Sequence, residues 1–216
     1  MKVAVLGNQA RAMCNFWTPL IRRMIASGHD VVCLVPEGSK ANMEAGLLES
    51  GPDGLEAETD AAAWERRLEE LGARIQHYPL DRKGLNPLKD CKTLFALRAL
   101  FCRENPDLLF AYTIKPVIYG AIASALAGAP ARERRCLMIT GLGYMFEGGS
   151  VFKKLLTQMA RGLYRTALSC SGKVFFQNDD DRALFENLSI IPERTEVRMS
   201  KGCGVDTEYF SPQPLP

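Results

Sequence analysis

The sequence predicts an α/β domain with a doubly wound, mostly parallel sheet, and three observations predict it. Short β-branched or apolar runs alternate strictly with longer stretches of helical periodicity along all 216 residues. The composition, with 47% hydrophobic and 24% charged residues and mean hydropathy −0.08, is that of a water-soluble globular chain large enough for one compact domain. No apolar run reaches the ~18 residues of a membrane span.

The elements follow in order. Lys2 to Leu6 reads as a strand, Trp17 to Ser27 as a helix beginning near Asn15-Phe16 and closed by Gly28, and Asp30 to Val35 as a second strand. Pro36 to Asp60, with five Gly or Pro positions after Pro36 among many acids, reads as a long polar excursion, partly disordered. Ala61 to Leu71 with Gly72 is a helix and its cap, and Arg74 to Pro79 a strand. Leu88 to Glu104 is a helix entered through Asn86-Pro87. Leu108 to Tyr112 is a strand, Lys115 to Ala127 with Gly128 a helix, Arg135 to Thr140 a strand and Val151 to Cys170 a long helix. Lys173 to Gln177, Asp179 to Leu188 and Glu196 to Ser200 complete the alternation as strand, helix and strand.

Charge and cysteine usage exclude several functions. Lys+Arg 27 against Asp+Glu 25 is too balanced for the uniform basic field of non-specific nucleic-acid binding. The charges are nevertheless segregated, ten acids against three bases from Glu37 to Ala73 and nine bases against two acids from Lys115 to Lys173. Seven scattered cysteines without a C-x-x-C pair predict reduced thiols, no zinc site and a cytosolic compartment. The N-terminus runs directly into a strand with no cleavage signal, so neither a signal peptide nor a membrane span is expected.

A doubly wound sheet binds ligands beyond the carboxyl ends of its strands, so the segments after the strands are the candidates. Gly7-Asn8-Gln9-Ala10-Arg11 fails the dinucleotide pattern because Gln9 and Ala12 stand where glycines are needed, and a simple tight turn is the alternative reading. Thr140-Gly141-Leu142-Gly143-Tyr144 opens a four-glycine loop before a helix, suited to backbone approach to a phosphate or sugar, or else simply flexible. Arg82, Lys83 and Lys115 would lie at one rim, where they could pair with a pyrophosphate; singly, each reads as a solvated cation. Asp179-Asp180-Asp181 after Asn178 reads as a helix cap rather than a metal site, and His29 and His77 as structural. In the Val151 to Cys170 helix, Phe152, Leu155, Leu156, Met159, Leu163, Tyr164 and Ala167 form an apolar stripe. Lys154, Arg161 and Arg165 form another face, either solvated or lying near anionic lipid.

Several of these segments together carry a family resemblance. They are Asn15-Phe16 with Pro19, Asp81-Arg82-Lys83-Gly84-Leu85-Asn86-Pro87-Leu88, Thr113-Ile114-Lys115-Pro116 with Tyr119-Gly120, and Thr140-Gly141-Leu142-Gly143-Tyr144. Phe176-Gln177-Asn178 leading to Asp181 and Phe185, and Gly202-Cys203-Gly204-Val205-Asp206 with Phe210 and Pro212, complete the set. With these, nearly the whole chain resembles the N-terminal half of family 4 glycosyltransferases of GT-B fold, especially bacterial enzymes that extend lipid-linked sugars for capsule, O-antigen or glycoprotein glycans. Two departures stand out: Gly7-Asn8 replaces the glycine pair of many members, and Lys115 stands where a histidine is often found.

The resemblance implies a single Rossmann-like acceptor domain over 1–210 and the start of a linker at 211–216. The donor domain with its Glu-x7-Glu motif would lie outside the chain; no two glutamates here are eight positions apart. It implies retaining transfer from a UDP-sugar donor to an undecaprenyl-pyrophosphate-linked sugar acceptor, peripherally at the cytoplasmic membrane face on anionic lipid, with no metal, no cofactor and no nucleic acid. The catalytic residues would lie in the missing half, leaving this fragment inactive alone. Arg82, Lys83 and Lys115 would hold the acceptor pyrophosphate, Asn8, Arg11 and Asn15 would line the acceptor pocket, and Asn86, Thr140, Gly141, Gly143 and Tyr144 would shape it. Gly202, Gly204 and Asp206 would face the donor side. A stand-alone glycan or lipid-phosphate binding module, and half of a UDP-sugar epimerase, are the alternatives.

Overall fold

The computed structural model describes residues 1–37, 61–82, 84, 86–141 and 151–204, the side chains of 151–156 excepted. Seven strands, β1 (Lys2–Leu6), β2 (Asp30–Pro36), β3 (Arg74–Tyr78), β4 (Leu108–Tyr112), β5 (Arg135–Ile139), β6 (Lys173–Phe176) and β7 (Glu196–Met199), form one sheet in the order β3-β2-β1-β4-β5-β6-β7. Every neighbouring pair is parallel. Six helices connect them: α1 (Ala10–Ala26), α2 (Ala61–Glu70), α3 (Pro87–Glu104), α4 (Ile114–Ala127), α5 (Val151–Ser169) and α6 (Asp179–Asn187). The expected doubly wound, Rossmann-like α/β domain is what the chain forms.

Strand residues alternate between two cores. Leu6, Leu34, Leu109, Ala111, Leu137 and Val174 face α3, α4 and α5, whereas Val3, Val5, Val31, Cys33, Phe110 and Tyr112 face α1 and α2. Burial on both faces explains why these strands read as apolar runs rather than as alternating ones. Gly120 sets the spacing of α4, since a Cβ there would lie 2.3 Å from Leu6 Cδ2. The chain winds from β1 outward to β3, then returns across the sheet to β4, so the crossover point lies between β1 and β4.

One helix begins earlier than expected. α1 starts at Ala10, not near Asn15-Phe16, because the turn after β1 needs only Gly7 to Gln9. Ala10, Met13, Trp17 and Ile21 continue a single buried stripe at helical spacing through Pro19. The 3₁₀ turn Arg132–Arg134 was not expected either. Asn178 caps α6, its side chain accepting from Asp181 N at 2.7 Å, so the three aspartates sit in a first helical turn as read from sequence. Residues 38–60 of the acidic excursion lie outside the described residues. Among the described residues no helix is long and apolar enough to cross a membrane, and no His, Cys, Asp and Glu group could hold a metal ion.

Candidate functional site

The crossover between β1 and β4 opens at the carboxyl edge into a cleft of ≈ 270 Å³. Asn8 after β1, Arg82 after β3, Thr113 to Pro116 after β4, and Thr140 and Gly141 after β5 line it, with Leu80 as an apolar wall. Four loops from four strands thus converge where a doubly wound sheet places its ligand. The volume suits one sugar ring or phosphate group rather than a whole nucleotide-sugar, being near the lower end of the ~300–1,000 Å³ of typical ligand sites.

The turn after β1 is held from beneath. Tyr78 Oη donates to Gly7 O at 2.7 Å, and a Cβ at Gly7 would meet Tyr112 Oη at 2.2 Å, so only glycine fits. Burial raises the pKa of both tyrosines, so both phenols stay neutral under the cleft. Gln9, with its amide oxygen turned toward the two donors, accepts from the Arg82 guanidinium, 2.7 Å from Nη2. This contact steadies an exposed arginine at the rim. Partial desolvation lowers the Arg82 pKa without discharging a guanidinium.

Lys115 has protein partners that its place after a strand does not announce. Its ammonium donates to Asp81 O at 2.7 Å, Gly84 O at 2.8 Å and Asp90 Oδ1 at 2.7 Å, which uses all three of its donors. Lys115 and Asp90 are each 15% exposed. Tyr119, one turn further along α4, also hydrogen-bonds Asp90, and burial together with that bond raises the phenol's pKa. The lysine therefore lines the cleft while gripping the loop that carries Arg82, so pairing with a pyrophosphate would require it to surrender a protein partner. Asp81 reinforces the loop by accepting from Gly84 N at 2.9 Å and pairing with Lys89 at 3.1 Å; these two contacts hold its carboxyl below the usual range.

Thr113, absent from the residues expected to bind, stands at the end of the central strand with φ 67° and ψ 158°. That conformation is almost confined to glycine, and here it belongs to a β-branched residue whose buried Oγ1 has no partner. The sequence carries only a faint signal, a polar residue directly after a central apolar strand; that its side chain does not cap α4 is seen in the structure alone.

Of the other expected site residues, Asn8, Thr140 and Gly141 line the cleft with Arg82 and Lys115. Arg11 and Asn15 lie on the exposed side of α1, a consequence of its early start, and do not line it. Asn86 caps α3, accepting from Leu88 N at 3.0 Å and Lys89 N at 3.4 Å, so its side chain is committed to that helix. Gly202 and Gly204 have φ of 99° and 82° in the turn after β7, where Gln177 Nε2 reaches Cys203 Sγ at 3.2 Å; neither lines the cleft. Lys83, Gly143, Tyr144 and Asp206 lie outside the described residues.

A parallel, doubly wound sheet with a polar, cation-rimmed cleft at its crossover defines a Rossmann-like α/β domain with its cleft where such sheets bind ligands. The chain belongs to the glycosyl transferase 4-like domain family, whose model matches residues 15–198. It is 19% identical over 98% of its length to the N,N'-diacetylbacillosaminyl-diphospho-undecaprenol alpha-1,3-N-acetylgalactosaminyltransferase of Campylobacter jejuni. Over 60% of its length it is 29% identical to the UDP-Gal:alpha-D-GlcNAc-diphosphoundecaprenol alpha-1,3-galactosyltransferase of Escherichia coli. The chain spans 49% and 31% of these relatives. The whole chain also superposes on 46% of a glycosyltransferase from Rickettsia africae, with a TM-score of 0.52 at 14% identity. The corresponding match to Acinetobacter baumannii MurG covers 48% of that chain, with a TM-score of 0.50 at 14% identity. Both structures bear on the fold alone.

Proposed function

We propose that this chain is the acceptor-side half of a retaining glycosyltransferase. The complete enzyme would move a sugar from a UDP-sugar to an undecaprenyl-diphosphate-linked sugar at the cytoplasmic face of the membrane. The observation that carries the reading is the cleft at the β1/β4 crossover. Its walls offer Asn8 and Thr140 side chains and a glycine backbone at Gly141, and its rim offers the Arg82 charge. Amide and hydroxyl groups suit sugar hydroxyls, and a guanidinium suits a diphosphate oxygen pair bidentately. The names of the two curated relatives, both acting on diphospho-undecaprenol-linked sugars, support the same acceptor class.

In this reading the two halves divide the labour. Residues 1–210 bind and orient the acceptor hydroxyl, 211–216 begin the passage to a second domain, and that domain holds the nucleotide-sugar and stabilises the departing diphosphate electrostatically. In this reading Gly202 and Gly204, in the turn after β7, belong to the donor side of the junction, and the chain alone performs no transfer.

The test uses the product of the full reading frame with a panel of UDP-sugars, with and without a short-chain prenyl-diphosphate sugar. Transfer that requires the acceptor is the expected result. Conversion of the UDP-sugar without acceptor would establish an epimerase, and acceptor binding without chemistry a binding module; either overturns the proposal. Arg82→Ala is expected to raise the acceptor KM ~10-fold or more while leaving the donor KM and the unfolding midpoint unchanged, as loss of one charge-assisted pair implies.

A further inference from the structure

The outward face of α3 has an unusual composition for a helix of a soluble domain. Ten of its eighteen residues are exposed, and none of the ten is acidic or an uncharged polar residue. Four are cations, Lys89, Lys92, Arg98 and Arg103; the rest are apolar or thiol side chains, with Leu88 81% and Phe95 63% exposed. At 100° per residue Leu88, Phe95, Ala99 and Cys102 fall on one line along the middle of that face, with the cations on its flanks. The two acids of the helix point away, Asp90 to Lys115 and Glu104 to Arg74. Leu126 at the end of α4, 54% exposed, extends the apolar line where its carbonyl accepts from Arg98 Nε at 3.4 Å.

Single exposed apolar side chains are ordinary, but an apolar midline between cations is not how a water-facing helix is arranged. We propose that this face of α3 docks on the surface of an anionic lipid bilayer, Leu88 and Phe95 entering the headgroup boundary and the flanking cations meeting lipid phosphates. A protein partner is disfavoured because the polar side chains of the face are all cations, which donate and cannot accept, whereas protein interfaces exchange hydrogen bonds in both directions about every 100–200 Å². A second copy meeting it by two-fold symmetry would set cations against cations. The choice of a membrane rests in part on the lipid-linked acceptor proposed above, whereas the surface stands on its own composition.

The position fits that acceptor. Leu88 lies six positions after Arg82, so the end of α3 that follows the cleft loop also begins the docking face. The basic face expected on α5 is a weaker candidate. Arg165 on that helix donates to Ser189 O, and Met159, counted from sequence among its apolar stripe, is instead 55% exposed.

Flotation of the 216-residue chain with vesicles of phosphatidylcholine, or of phosphatidylcholine and phosphatidylglycerol in equal parts, tests this directly. The chain is expected to float with the anionic vesicles only. Leu88→Ser/Phe95→Ser and Lys92→Glu/Arg98→Glu should each lower partitioning ~10-fold or more, whereas Arg161→Glu on α5 should leave it unchanged. Equal unfolding midpoints for all variants exclude loss of fold as the cause. No flotation, flotation indifferent to the α3 pairs, or a dimer that the same variants dissolve would overturn the proposal. The vesicles contain no sugar lipid, so docking and glycosyl transfer can fail independently of one another.

Discussion

The two edges of the sheet solve the same electrostatic problem and stop at different points. At the amino edge Arg74 forks onto Asp30 at 3.1 and 3.0 Å and onto Glu104 at 3.1 Å. Lys2 Nζ reaches Glu104 O at 2.7 Å, and the Lys2 amide donates to Asp107 at 2.8 Å. Donors and acceptors there close on one another, tying β1, β2, β3 and the end of α3 together. At the carboxyl edge the Lys115, Asp90 and Asp81 cluster is equally closed, yet around it Thr113 Oγ1 and Tyr112 Oη are buried without partners and Thr113 is held in a glycine conformation. Among the described residues the amino edge also holds one unmet buried polar atom, Arg135 Nε, but only the carboxyl edge combines two unmet hydroxyls with a β-branched residue in a glycine conformation, which is the pattern expected where a site has been built at the expense of stability.

The largest way to break this contrast is Lys115→Ala. It strips three acceptors at once and leaves the half-buried Asp90 carboxylate with Tyr119, so a loss of about 3 kcal/mol in urea unfolding is expected, together with lost acceptor use in the complete enzyme. If Lys115 bound substrate directly, Asp90→Asn would spare acceptor binding. If it acts by holding the loop, that variant should raise the acceptor KM as well. Arg74→Ala on the opposite edge should cost less, about 2 kcal/mol, because Glu104 keeps Lys2 at 3.7 Å. Its acceptor KM should equal that of the wild type, since nothing it touches reaches the cleft.

Alkali should act on the packing behind the cleft. Burial raises the Cys33 thiol from its ordinary 9.0 to about 12 and also raises Tyr78 and Tyr112. The unfolded chain therefore ionises first. Stability from the neutral thiol is complete below pH 9 and is lost as pH rises toward 12, at about 1.4 kcal/mol per pH unit for Cys33 alone. A urea midpoint that holds steady from pH 8 to 10.5 would contradict this. Cys33→Ala should flatten the slope.

Much of this was legible in the sequence, for identifiable reasons. The strands and α3 announced themselves because parallel strands buried on both faces are continuous apolar runs, and because Asn86-Pro87 is a start signal that the structure uses as one. The cleft loops were found by position alone, since topology puts ligands after strands. The start of α1 was missed because Gln9 is an N-cap without a side-chain hydrogen bond, leaving no capping residue to read. The protein partners of Lys115 were not legible because a lysine aimed at carbonyl oxygens 31 and 34 residues away looks, in sequence, like any cation after a strand. Thr113 escaped because backbone strain has no composition; only the fold forces a threonine where glycine belongs.

That threonine gives the smallest predicted effect and the most discriminating sign. Replacing Thr113 by glycine removes a strain of the order of 1–3 kcal/mol and an unmet buried hydroxyl, against ~1 kcal/mol of added chain entropy in the unfolded state. Thr113→Gly should therefore stabilise the domain by about 1 kcal/mol, seen as a higher urea midpoint, while weakening acceptor use in the complete enzyme. A structural threonine would lose stability on this change and leave the KM alone. A gain in stability coupled to a loss of function would mean that the strain is retained for what the cleft does, which is the asymmetry between the two edges reduced to a single residue.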